Sequence, residues 1–169
     1  MVRRTGLLGL GSNVGDRRAH LQRAVDALGA AGVAVLAASS VYDTDPVGEM
    51  REQPSFLNAC LRVQTELGPL ELLDAVKDLE RALGRRNGEV RHGPRTIDID
   101  ILLLGDLEFS HERMRLPHEQ LLNRRFVLVP ALEIDFEECA PDGTRLADAL
   151  AVLPLDEGVR WAGPPLLLR

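Results

Sequence analysis

The sequence predicts an α+β fold, a mainly antiparallel sheet with helices packed on one face, and three observations predict it. Strand-like and helix-like apolar patterns follow one another in the order β-α-β-β-α-β, which is the ferredoxin-like arrangement. At 169 residues the chain has the length of one domain. With 45% apolar and 27% charged residues it can bury a core without disulfide or metal staples.

Each element has a local reason. Thr5 to Gly11 reads as a short buried strand, although the apolar start behind Arg3 and Arg4 imitates a secretory leader; the stretch is brief and broken by glycine. Asp16 can cap a helix whose apolar face is Leu21, Ala24, Val25 and Leu28, with Gly29 and Gly32 stopping it. A second strand is expected from about Val33 to Tyr42, then a loop over 44–55 punctuated by Pro46, Gly48 and Pro54. That loop exceeds the usual connection of about 4–6 residues, which marks it as functional. Phe56 to Thr65 is a third strand. The clearest helix follows, with Pro69 in its first turn, a stripe of Leu72, Leu73, Val76, Leu79 and Leu83, and Gly84 at its end. A polar loop from Arg85 to Thr96 leads into the strand Ile97 to Leu104. Residues 107–118 read as an irregular hairpin and 119–134 as a helix interrupted near Pro130, though Phe126 to Val129 fits a strand equally well by period. Pro141-Asp142-Gly143 is a turn, Leu146 to Leu153 is helical, and the tail from about residue 155 is expected to be irregular within a single domain spanning 1–169.

Composition excludes several function classes. The net charge of −6 argues against a chain built to coat nucleic acid or an anionic membrane. No apolar run approaches the roughly 20 residues of a membrane-spanning helix. Cys60 and Cys139 stand far apart, outside any CxxC spacing, and both are expected to be small buried apolar residues of a reduced, cytoplasmic protein. Gly9-x-Gly11 with Gly15 misses the dinucleotide-binding spacing, and the single lysine, Lys77, falls in a helix, so there is no P-loop. Arginines must therefore grip any polyphosphate.

The sharpest feature is Ile97-Asp98-Ile99-Asp100-Ile101. On a strand this alternation sends the isoleucines to one face and both aspartates to the other, with backbones about 7 Å apart. Two readings fit: a solvated acidic face on an edge strand, or a pair of oxygen ligands for Mg²⁺ shared with substrate phosphates. Two basic islands flank the pair. Residues 85–95 hold Arg85, Arg86, Arg91 and Arg95 against Glu89, and residues 111–125 hold Arg113, Arg115, Arg124 and Arg125 against Glu112 and Glu119. In an acidic protein that layout suits Mg²⁺ and arginine forks neutralising a polyphosphate, although 19 arginines inflate any cluster. Gly93-Pro94 restrains Arg95 beside the carboxylates, as a phosphate contact or as a plain ion pair. Asn58 interrupts an apolar strand, and Phe56 shares its face. Either the pair reads a flat heterocycle, or it is an ordinary core phenylalanine beside a satisfied amide.

Gly11-Ser12-Asn13, Phe56-Leu57-Asn58, Gly93-Pro94-Arg95-Thr96-Ile97-Asp98-Ile99-Asp100, Leu116-Pro117-His118 and Asn123-Arg124-Arg125-Phe126 occur in that order. With these motifs the chain resembles the 6-hydroxymethyl-7,8-dihydropterin pyrophosphokinase family through about residue 150. The resemblance implies a ferredoxin-like fold, ATP as co-substrate with two Mg²⁺ ions, and diphosphate transfer to the pterin hydroxymethyl group with release of AMP. It implies Asp98 and Asp100 as metal ligands, with Arg85 and Arg95 beside them in catalysis. Glu80, Arg91, His92, Arg95, Arg113, His118 and Arg124 fall at ATP-contacting positions, and Thr44, Val47, Phe56, Asn58 and Phe126 at pterin-contacting ones. Whether Asp100 also takes the hydroxyl proton stays open. Asp45, Phe56, Asn87, Gly88, His92 and Glu119 depart from the family pattern. A cytoplasmic monomer acting on small molecules, without nucleic acid or membrane partners, is expected. Rivals are a nucleotidyltransferase using Gly11-Ser12, a ferredoxin-like ligand-binding module, and an RNA-binding sheet. The first would place its glycine-serine turn near the aspartates, the second has no use for the paired acids, and the third lacks exposed aromatics.

Overall fold

A computed structural model describes residues 2–46, 53–84, 96–155 and 158–169. The elements are β1 (Arg4–Ser12), α1 (Arg17–Leu28), β2 (Val33–Ala38), β3 (Val41–Thr44), β4 (Phe56–Thr65), α2 (Pro69–Ala82), β5 (Asp98–Leu104), β6 (Phe109–Ser110), β7 (Arg115–Leu116), α3 (Arg125–Ile134), α4 (Leu146–Ala151) and β8 (Val159–Gly163). The main sheet is antiparallel and runs β5-β1-β4-β3-β8, with β2 also paired to β4. Counting β2 and β3 together as the second strand, its core order is fourth-first-third-second, the ferredoxin-like sheet.

Asp16 caps α1 by accepting a bond of 3.1 Å from the Ala19 amide. After Leu28 a single 3₁₀ turn, Gly29–Ala31, ends at Gly32, whose φ of +91° requires glycine. Pro69 opens α2, and the Glu71 carboxylate reaches back to the Gly68 amide at 3.0 Å. The buried faces of α1 and α2 meet Leu8, Leu10, Ile97, Ile99, Ile101 and Leu104 on one side of the sheet. Each such side chain withdrawn from water contributes roughly 1.5–3 kcal/mol before entropy is counted.

Several expectations are corrected, among them the burial of both cysteines: Cys60 is buried, but Cys139 is exposed. Helices cover both faces, because α3 and α4 bury Leu128, Ala131, Leu132 and Leu146 against Leu7, Cys60, Leu102 and Leu103 on the opposite side. The strand expected over Val33 to Tyr42 is two strands, since the Ser39 hydroxyl takes the bond from the Cys60 amide and the Glu133 carboxylate takes those of the Ser40 amide and hydroxyl. The helix expected over 119–134 begins only at Arg125 and runs through Pro130, while that expected over Leu146 to Leu153 ends at Ala151. The tail is ordered: β8 pairs with β3, and beyond it Leu166 is buried while Arg18 and Gln22 of α1 bond to the backbone of Pro164, Pro165 and Leu167. Among the described residues, no helix is long and apolar enough to cross a membrane.

Candidate active site

Cross-strand register builds the site. On β1, Gly9 lies between Cys60 of β4 and Asp100 of β5, and Gly11 lies between Asn58 and Asp98. Directly opposed residues share a face, so two glycines separate the acid pair from the amide. Without side chains at these positions the sheet has a trough. A Cβ at Gly11 would stand 2.9 Å from Asn58 Oδ1 and 3.5 Å from Phe56 Cδ1, so the trough depends on glycine there. Above it is a cavity of about 430 Å³ lined by Thr44, Asp45, Phe56, Asn58, Lys77, Asp98, Asp100, His118, Glu119, Gln120, Arg124 and Phe126, among others.

The acid end carries a strongly perturbed carboxyl. Burial first, then the charges of Asp98 and Glu80, push the Asp100 carboxyl up to about 7, against the opposing pull of Arg124 and Lys77. His118 lies beside the pair. Its Nδ1 accepts from the Gln120 amide at 3.0 Å, which leaves the ring proton on Nε2. Burial and the Arg124 charge lower its pKa, so the ring is a neutral donor. The Arg124 guanidinium sits 5.5 Å from the Phe126 ring centroid, a cation–π contact that holds the arginine in place.

The other end is built for an organic ring. The Asn58 amide, itself buried, donates to the Thr44 hydroxyl, which is also buried. Both the Asn58 carbonyl and Phe56 adjoin the Gly11 gap. Cys60 lies on the floor, but burial pushes its thiol up to about 12, so it offers no nucleophile near neutrality.

The structure thus gathers Thr44, Phe56, Asn58, Asp98, Asp100, His118, Arg124 and Phe126 in one cavity. Two other singled-out residues lie elsewhere. Glu80 is 1% exposed, and its Oε2 accepts from the Ile99 amide at 2.7 Å while Oε1 pairs with Lys77 Nζ at 3.1 Å; it braces β5 from beneath. Arg113 pairs with Asp74 at 2.6 Å and lines an adjoining cavity of about 310 Å³, which shares Lys77, Asp100, His118 and Glu119 with the first. Val47, Arg85, Arg91, His92 and Arg95 lie outside the described residues. Sequence reasoning missed Lys77 and Gln120 as lining residues, and from Gly9 and Gly11 it drew only the failed dinucleotide spacing and the Gly11-Ser12-Asn13 motif. The signal for the glycines was their spacing of two on a strand, which puts both gaps on one face.

The donor set fits Mg²⁺. Among the described residues no group of three or more His, Cys, Asp or Glu side chains could hold a metal ion, so zinc-like coordination is not offered. Two carboxylates suit an ion that completes its shell with water and phosphate oxygens, and the Asp98 charge adds to burial in raising the Asp100 pKa.

The sequence profile of the 7,8-dihydro-6-hydroxymethylpterin-pyrophosphokinase (HPPK) family matches residues 7–136. The chain belongs to this family. It is 45% identical over 128 residues to the 2-amino-4-hydroxy-6-hydroxymethyldihydropteridine pyrophosphokinase of Bacillus subtilis, covering 75% of each protein. Against the enzyme of the same name from Methylorubrum extorquens it is 46% identical over 151 residues, covering 86% of this chain and 91% of that one. The mitochondrial folate synthesis bifunctional protein of Arabidopsis thaliana is 41% identical over 128 residues, which are 76% of this chain and 23% of the plant protein. The chain therefore spans about a quarter of the bifunctional plant relative and three quarters or more of these bacterial ones. A Plasmodium falciparum HPPK-DHPS crystal structure with pterin and p-hydroxybenzoate superposes with a TM-score of 0.67 at 14% identity, covering 89% of this chain and 42% of that one. That likeness bears out the α+β fold.

Proposed function

We propose that this chain transfers the β,γ-diphosphate of ATP to the hydroxymethyl oxygen of 6-hydroxymethyl-7,8-dihydropterin and releases AMP. The observation that carries the reading is the single cavity joining a half-buried acid pair to a buried amide and two phenylalanines across a glycine floor. One end suits a metal-bound polyphosphate, the other a flat heterocycle.

In the reaction the substrate hydroxyl oxygen bonds to the β-phosphorus, the bond from that phosphorus to the α,β-bridging oxygen breaks, and the hydroxyl proton leaves. Asp98 and Asp100 would hold two Mg²⁺ ions, which supply charge neutralisation and align the phosphates when bound. Arg124 donates to phosphate oxygens from its fixed place over Phe126, and His118 donates from Nε2 without adding charge. Thr44 orients Asn58, whose amide reads the edge of the ring, while Phe56 and Phe126 offer ring faces. Arg85 and Arg95 are assigned to the phosphates in catalysis, Arg91, His92 and Arg113 to ATP, and Val47 to the pterin; these assignments rest on the motif resemblance. Glu80 would act on ATP through the position of β5. The same reading takes the chain as one pyrophosphokinase domain acting as a cytoplasmic monomer on small molecules, in keeping with two unpaired cysteines.

The test is product analysis with Mg²⁺, ATP and the reduced hydroxymethylpterin. AMP should appear mole for mole with pterin consumed. ADP as the product, or full turnover by Asp98→Asn, would overturn the proposal.

A further inference from the structure

The segment beyond the family-matched residues 7–136 reaches the cavity mouth. Gly158 accepts from the Asp45 amide through its carbonyl at 3.1 Å, and its own amide donates to Asp45 Oδ2 at 3.1 Å. Arg160 of β8 donates to Asp45 Oδ1 at 3.1 Å and lies 3.9 Å from Asp43 Oδ1. Asp43 Oδ1 in turn lies 3.7 Å from Arg17 of α1, whose guanidinium donates to the Ser55 carbonyl at 3.0 Å and to the Ser55 hydroxyl at 3.2 Å. One carboxylate thus stands between two arginines, and each arginine holds one end of the 44–55 connection. A methyl group on Gly158 would overlap the Asp45 carboxylate and the Arg160 guanidinium, so the contact is built around a glycine.

Asp45 lines the cavity and follows Thr44, the residue that orients Asn58. Between β3 and β5 lie β4 and β1, so the clasp stands about 14 Å of sheet away from the acid pair. We infer that Arg160, acting through Asp45 and Asp43, is a positioning residue for the heterocyclic substrate: the C-terminal strand sets the place of Thr44 and Asn58 and leaves the metal–nucleotide end alone. The inference rests on the pyrophosphokinase reading for the identity of the ring. Arg160 is half-exposed, so its contacts contribute little to overall stability while still fixing local geometry.

The test measures steady-state kinetics and calorimetric binding of 6-hydroxymethylpterin for wild type, Arg160→Gln, Asp45→Asn, the double variant and Gly158→Ala. Arg160→Gln should weaken pterin binding and raise its KM about three- to fivefold, the reach of an exposed ion pair. Values of kcat and KM for MgATP should stay within about twofold and the melting temperature within about 2 °C, as for an exposed pair. Gly158→Ala should match it, and the double variant should be no worse than the poorer single variant, because both break one clasp. Unchanged pterin binding in Arg160→Gln, an equal rise in both KM values, or multiplying single effects would overturn the inference. A wild type that binds no pterin and releases no AMP fails the pyrophosphokinase reading instead.

Discussion

Replacing Asp100 by asparagine should make the metal-free protein more stable while abolishing its chemistry. The two carboxylates project from one face of β5 about 7 Å apart, and at an effective dielectric near 20 their repulsion is about 2 kcal/mol. Asparagine keeps the shape and removes the charge. The folded-state pKa of Asp100, about 7, is raised above the ordinary 3.8, first by burial and then by Asp98. The native state therefore binds this proton more tightly than the unfolded chain. Stability tied to the proton is fully present below about pH 4 and is lost as the pH rises through 7. At pH 8 in a chelator, Asp100→Asn should melt higher than wild type by about 4–8 °C, taking 2–4 °C per kcal/mol for a chain of this size. At pH 4 the gap should shrink towards zero, since Asp100 is then protonated in the folded protein and close to half protonated in the unfolded chain. With Mg²⁺ and ATP the order should reverse, because only the paired carboxylates hold the ions. Thermal denaturation followed by circular dichroism at the two pH values measures all of this. A variant less stable at pH 8, or a gap of equal size at both pH values, would refute the electrostatic account.

Gly11→Ala should raise the pterin KM on the order of tenfold, because its Cβ would stand 2.9 Å from Asn58 Oδ1, whereas Gly9→Ala meets only the Leu102 side chain at 3.5 Å and should be tolerated; steady-state kinetics on both variants measures the contrast. Tyr42 is the chain's single tyrosine, and burial followed by its hydrogen bond to Glu133 pushes its pKa up to about 12. Phenolate absorbance should therefore rise near pH 12, and Glu133→Gln should move the midpoint back towards 10. The raised pKa gives stability that is present below pH 10 and lost as the pH climbs towards 12.

The parts of the fold that local chemistry dictates were legible in the sequence. Period-2 alternation over Ile97 to Ile101, the Asp16 cap and the Pro69 start all reappear in β5, α1 and α2. What escaped reading depended on distant partners. The break at Ser39-Ser40 needs Cys60 and Glu133, which no local pattern announces. The second layer of helices needs α3 and α4 to cross to the opposite face, a matter of chain routing. In the site, Asp98, Asp100 and Asn58 stood out because each breaks an apolar pattern, and Phe56 because it shares a strand face with Asn58. Lys77 did not, because a lysine on a helix is ordinarily solvent-facing. Glu80 falls four residues after Val76 on the buried stripe, so its helical position marks it as an interior carboxylate bonded to β5.

The same alternation that builds the core also sets the chemistry. Ile97, Ile99 and Ile101 are buried against α1 and α2, so β5 cannot slip by one residue without pushing Asp98 and Asp100 into that apolar layer and its isoleucines into the cavity. The irregularity that β5 does contain falls farther along: Leu7 faces Leu103 while Leu8 faces Ile101, so Leu102 is the extra residue of a bulge. There the strand stops obeying strict alternation, and Leu102 and Leu103 both join the layer beneath α3. On the near side of the bulge Gly9 faces Asp100 and Gly11 faces Asp98, and the trough opens. On the far side large apolar residues fill the same face. The bulge is thus the physical boundary between the part of the sheet that packs and the part left open for substrates, and hydrophobic burial of the isoleucines holds the acid pair on the open side.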